Sequence, residues 1–125
     1  MPRRDSQHDD YLLRIIRQAA ETLRRLRERL TGSAESATAV RDEARAAIPE
    51  LLGEQSALLM RLDADTAAHL IGNKERVELW ASLVELDADA CAAAGDSAGA
   101  TTSRARPATL RAAANKLNAE PSSYT

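Results

Sequence analysis

Between residues 12 and 30 apolar side chains recur at Leu12, Ile16, Ala19, Leu23, Leu26 and Leu30, at intervals of 4, 3, 4, 3 and 4. That spacing keeps them on one side of an α-helix, and Leu13 and Ile15 widen the seam into the stripe of a core-packed helix. The pattern predicts a first helix that starts at Asp9 or Asp10, either of which can cap it, and ends near Leu30 before Thr31-Gly32. A second helix follows Gly32, capped by Ser36 or Thr38, and carries Val40, Ala44, Ala47, Ile48, Leu51 and Leu52. Pro49 lies inside that pattern, removes a backbone donor and predicts a kink or a new turn.

Gly53 and Gly72 bracket two short helices, one with Leu58, Leu59 and Leu62, the other opened by Asp63 or Asp65 and carrying Ala67, Ala68, Leu70 and Ile71. Asn73 then caps a long helix to about Ala94, whose buried face holds Val77, Trp80, Val84, Ala88 and Cys91. A last helix, from about Ser97 to Leu117, is interrupted by Gly99 and Pro107, so its first half is expected to be irregular. Short turns between long helices predict antiparallel neighbours. The chain therefore reads as an all-α domain of about four to six helices in antiparallel hairpins over residues 9–117. A disordered head (1–8) and a frayed tail (118–125) flank it.

Composition sharpens this. The chain of 125 residues contains 26 Ala and 16 Leu but seven Val and Ile together, and its aromatics are Tyr11, Trp80 and Tyr124. Ala and Leu favour helix, whereas sheets draw on β-branched and aromatic residues. So few aromatics also remove the stacking platforms of single-strand nucleic-acid binding. Net charge is −2, but it is unevenly spread: +2 over residues 1–40, −6 over 41–90 and +2 over 91–125. A basic first helix lying over an acidic middle explains this within one fold. Cys91 is the single cysteine, which excludes an intrachain disulfide and fits a reducing compartment. No run reaches the length of a membrane span and the polar N-terminus is unlike a signal peptide, so a cytoplasmic location is expected.

The candidate chemistry is sparse. His69 is the single histidine outside the head, where His8 lies. Asp65 and His69, four residues apart, share a helix face, but a metal site needs further ligands that Asp63 alone does not supply. Cys91 and His69 form a conceivable thiolate–imidazole pair, against which stands the apolar stripe that carries Cys91. Glu85, Asp87 and Asp89 alternate around a helix and read as a solvated face. No catalytic residue, metal or cofactor is expected.

Residues 84–107 resemble a tetratricopeptide repeat, with Ala88 and Ala100 at the small crossing positions and Gly95 at the turn. Val84, Cys91 and Arg104 stand where the repeat carries large side chains, and Pro107 where it carries a small one. Over residues 9–117 the chain is similar to a group of small bacterial proteins of unassigned function with a tetratricopeptide-like fold. The likeness rests on the opening Asp10-Tyr11-Leu12-Leu13-Arg14-Ile15-Ile16, on Leu51-Leu52-Gly53, and on Leu62-Asp63-Ala64-Asp65-Thr66-Ala67-Ala68-His69-Leu70. It implies stacked helical hairpins and transfers no catalytic residue.

Together these features predict a non-enzymatic protein–protein interaction or scaffold module. Arg17, Arg24 and Arg25 on the basic helix and Glu78, Glu85 and Asp89 on the acidic one are its candidate partner-binding residues. The Leu12–Leu30 seam offers a route to a homodimer if it is not consumed internally. The alternative is peripheral membrane or nucleic-acid association through the basic amphipathic helix 10–30. Against a membrane stands its lack of Trp and Phe anchors, and against nucleic acid the acidic overall balance.

Overall fold

The computed structural model describes residues 2–30 and 33–119, with side chains for 10–30 and 33–117. They form α1 (Pro2–Arg29), α2 (Ala34–Leu52), α3 (Ser56–Arg61), α4 (Ala64–Ile71), α5 (Lys74–Ala93) and α6 (Ser97–Ala119), with a 3-10 turn at Gly53–Gln55 between α2 and α3. No strand occurs among the described residues, and none of their helices is long and apolar enough to cross a membrane.

Side-chain caps set the helix starts. The backbone N–H of Thr66 donates to Asp63 Oδ2 (3.1 Å), that of Arg76 to Asn73 Oδ1 (2.9 Å) and that of Gly99 to Asp96 Oδ1 (2.9 Å). The cap of α2 is Ser33, which accepts from the Ser36 N–H at 3.0 Å, not Ser36 or Thr38 as the sequence suggested. Ser36 instead donates its hydroxyl to the Arg29 carbonyl at 2.7 Å, tying the end of α1 to the start of α2. Gly72 closes α4 at φ 70°, the left-handed conformation that glycine adopts at least cost.

α1 begins at Pro2, well before Asp9, so residues 2–8, expected to be disordered, continue the helix. Proline is tolerated at a first helical position because its missing N–H has no intrahelical partner there. The Thr31-Gly32 link, the side chain of His8 and most of the 118–125 tail lie outside the described residues.

α5 is the central helix. It packs most extensively on α6, then on α2, and also against α1 and α4. Trp80, Ala81, Leu83 and Cys91 on it are at most 1% exposed. The α1 seam turns inward: Ile16, Ala19, Leu23 and Leu26 are buried, and Leu12 and Leu30 are half-buried. A dimer through this seam would have to open the core. Alanines sealed from solvent, among them Ala37, Ala44, Ala67 and Ala114, let the backbones approach closely.

Neither interior proline ends its helix, which corrects the expected irregularity in the first half of α6. α2 continues through Pro49 to Leu52, and the Gly53 N–H closes onto the Pro49 carbonyl. α6 continues through Pro107, which is itself buried, and Leu110, Ala113 and Ala114 beyond it are buried as well. The packing of α6 on α5 outweighs the cost of about 3 kcal/mol that proline carries in a helix interior.

Candidate functional site

Trp80 is 1% exposed, yet it helps line a cleft of about 320 Å³ between α2, α5 and α6, to which Met60 of α3 also contributes. Ile48 and Val84 complete the apolar wall, and three ionisable side chains face the same space: Arg45, Asp87 and Arg106. Each is placed by a different constraint.

Arg106 comes from α6. Its guanidinium carbon sits 5.0 Å from the centre of the Trp80 ring, within the range where the ring face attracts a cation. Its Nη2 donates to the Leu59 carbonyl (3.2 Å) and the Leu62 carbonyl (2.8 Å), so it caps the C-terminal end of α3. Its Nε is buried and has no hydrogen-bond partner among the described residues. Burial pulls the guanidinium below its ordinary pKa, with a smaller opposing influence from Asp63.

Arg45 and Asp87 join α2 to α5. Arg45 Nε donates to Asp87 Oδ2 at 2.9 Å, and Arg45 Nη2 reaches Cys91 Sγ at 3.5 Å. The Cys91 thiol in turn donates to Asp87 Oδ1 at 3.3 Å. Asp87 is therefore buried and fully engaged, which corrects its assignment to a solvated face. Burial, and then the bond to Asp87, push the Cys91 thiol above its ordinary pKa. A buried, protonated thiol is a poor nucleophile. Its partners are Asp87 and Arg45, not His69.

Both prolines act beside this cleft. Pro49 has no N–H for the carbonyl of Arg45, and Pro107 has none for that of Ser103. Arg45 and Ser103 both line the cleft. The helical hydrogen-bond ladder is thus interrupted on the two sides of the same cavity.

The residues singled out from sequence lie elsewhere. Arg24 pairs within α1 with Glu21 and Glu28, and Arg25 reaches Glu43 of α2 at 3.1 Å, where Arg29 also binds at 2.7 Å. Glu85 pairs with Arg111 at 3.0 Å and Asp89 with Arg104 at 3.5 Å, both on α6. Arg17 is exposed and Glu78 half-exposed. None of these six forms an ion pair with another among the described residues. Asp65 lies 3.5 Å from Lys116, His69 is exposed, and no group of three metal-ligating side chains occurs among the described residues.

A signal for the missed residues does exist. Asp87 falls on the stripe Trp80, Val84, Asp87, Cys91, and Arg106 on the stripe Arg106, Leu110, Ala113, Leu117. An ionisable residue at an apolar position of a helix demands a partner. Comparison of the chain with protein-family models, curated proteins and solved structures finds no match.

Proposed function

We propose that the chain is a non-enzymatic helical binding module whose recognition element is the Trp80 cleft. The supporting observation is an open cavity, walled by Ile48, Trp80 and Val84, on a scaffold where Glu43, Glu85 and Asp89 are engaged in internal pairs with arginines. Binding pockets for small groups are mostly apolar with a few convergent polar side chains, and the volume of about 320 Å³ lies at the small end of their range. The protonated state of Cys91 and the exposed position of His69 argue for recognition over bond-making chemistry.

Trp80 is the sole tryptophan of the chain, so its fluorescence reports the cleft directly. Apolar fragments titrated into the protein are expected to change that signal saturably and to be recovered unchanged. Val84→Phe, which fills the cleft, abolishes the response while the helical circular dichroism persists. A fragment recovered in altered form overturns the non-enzymatic reading. A library with no saturable response, or an equal response in Val84→Phe, overturns the cleft as the recognition element.

A further inference from the structure

The three charges of the cleft do not cancel. Asp87 is taken by Arg45, at 2.9 Å, and by the Cys91 thiol. That leaves the guanidinium of Arg106 with no carboxylate at ion-pair distance among the described residues. Its compensation is partial: two carbonyl dipoles at the end of α3 and the face of Trp80 stabilise it, while its Nε is buried without an acceptor. Asp63, whose charge acts on it, already accepts from the Thr66 N–H and hydroxyl as the cap of α4. A cation removed from water without a full counter-charge carries a desolvation cost that an anion in the cleft would offset.

The rest of the cavity limits what that anion is. Ile48, Val84, Met60 and the Trp80 ring present apolar surface, and the volume of about 320 Å³ admits a short acyl chain or one aromatic ring. Asp87 on the same wall disfavours a second negative charge. Resting on the reading of the cleft as a recognition element, we infer that it binds a small free monocarboxylic acid, its carboxylate against Arg106 and its hydrocarbon body against Trp80, Ile48 and Val84. Capping α3 remains the structural duty of Arg106, and the ligand charge is what the capping role alone does not predict.

Calorimetry with hexanoate, hexanamide and hexylamine, read in parallel by Trp80 fluorescence, tests this on the intact chain. Hexanoate is expected to bind at least ~10-fold more tightly than hexanamide, the size of one charge-assisted contact, and hexylamine not at all. Arg106→Met is expected to remove that preference for charge. If that variant does not fold, Arg106→Lys, which keeps the charge, is expected to retain the preference for hexanoate over hexanamide. Hexanoate and hexanamide binding equally overturns the anion inference and leaves the cleft a binding site. No binding by any of the three, with no response to the wider fragment set, overturns both. A short peptide with an apolar C-terminal residue binding more tightly than hexanoate overturns the assignment to a free acid.

Discussion

Arg45 and Asp87 stand 42 positions apart in the chain and meet at 2.9 Å, the one ion pair between α2 and α5 among the described residues. The pair is asymmetric: the arginine side chain is 50% exposed and the carboxylate 10%. Removing the arginine strands a buried charge, whereas removing the aspartate releases an arginine into water. Arg45→Met is therefore expected to destabilise the fold by about 1–3 kcal/mol. The double variant Arg45→Met with Asp87→Leu is expected to lose less than Arg45→Met alone, because no charge remains to be desolvated. Urea unfolding of the single and double variants compares the two costs.

Glu43 holds α1 to α2 through Arg29 and Arg25, and the hydrogen bonds from those two residues, Arg29 first, lower its pKa below the ordinary glutamate value. A carboxylate with a depressed folded pKa contributes stability that is present above its unfolded pKa and lost as pH falls through the folded one. The contribution is modest, about 0.2–1 kcal/mol per pair, because all three side chains are largely solvated. Glu43→Gln is expected to lower the urea midpoint at neutral pH and to converge with the parent chain under acid conditions, below the carboxylate range.

The Cys91 thiol is raised by burial and by its bond to Asp87. A raised folded pKa places its stabilising effect below the unfolded thiol value and removes it as pH rises through the folded one. Two results follow: alkylation of Cys91 by iodoacetamide is slow at neutral pH and becomes fast in urea, and the native fold weakens at alkaline pH more than a Cys91→Ala variant does. Rapid native alkylation would contradict the buried, protonated thiol.

Gly99 is a helical position where alanine would ordinarily gain about 1 kcal/mol. A Cβ there collides with the carboxylate of Asp96, the cap of α6, and comes within 3.1 Å of Cys91 Sγ. Losing a cap costs about 0.5–2 kcal/mol. Gly99→Ala is thus expected to leave the melting temperature unchanged or lower, not higher, when measured by circular dichroism.

The helices were legible because their punctuation is local. Asp63, Asn73 and Gly72 act within one turn of themselves, and the 3-4-3 spacing of Ile16, Ala19, Leu23 and Leu26 needs no knowledge of the partner helix. The continuity of α6 was not legible, since Pro107 is tolerated through packing on α5 that sequence spacing does not reveal. The cleft was the least legible part. Alternation of Glu85, Asp87 and Asp89 suggested a solvated face, but a helix buried on several sides, as α5 is, takes one of the three into the core. Arg106 stands on the stripe of Leu110 and Leu117, but spacing alone does not reveal that its guanidinium turns to Trp80 and the end of α3. Of the partner residues suggested by charge, Arg25, Glu85 and Asp89 have close counter-charges on neighbouring helices and Arg24 has them within α1.

The indole N–H of Trp80 gives a single resonance in a ¹H–¹⁵N spectrum, and titrating hexanoate while following it tests recognition at the cleft most directly. A progressive, saturable shift of that resonance is expected, together with the amides around Ile48, Val84 and Arg106. An indole signal that stays fixed while amides elsewhere on the surface move, or a spectrum that does not respond at all, would contradict it.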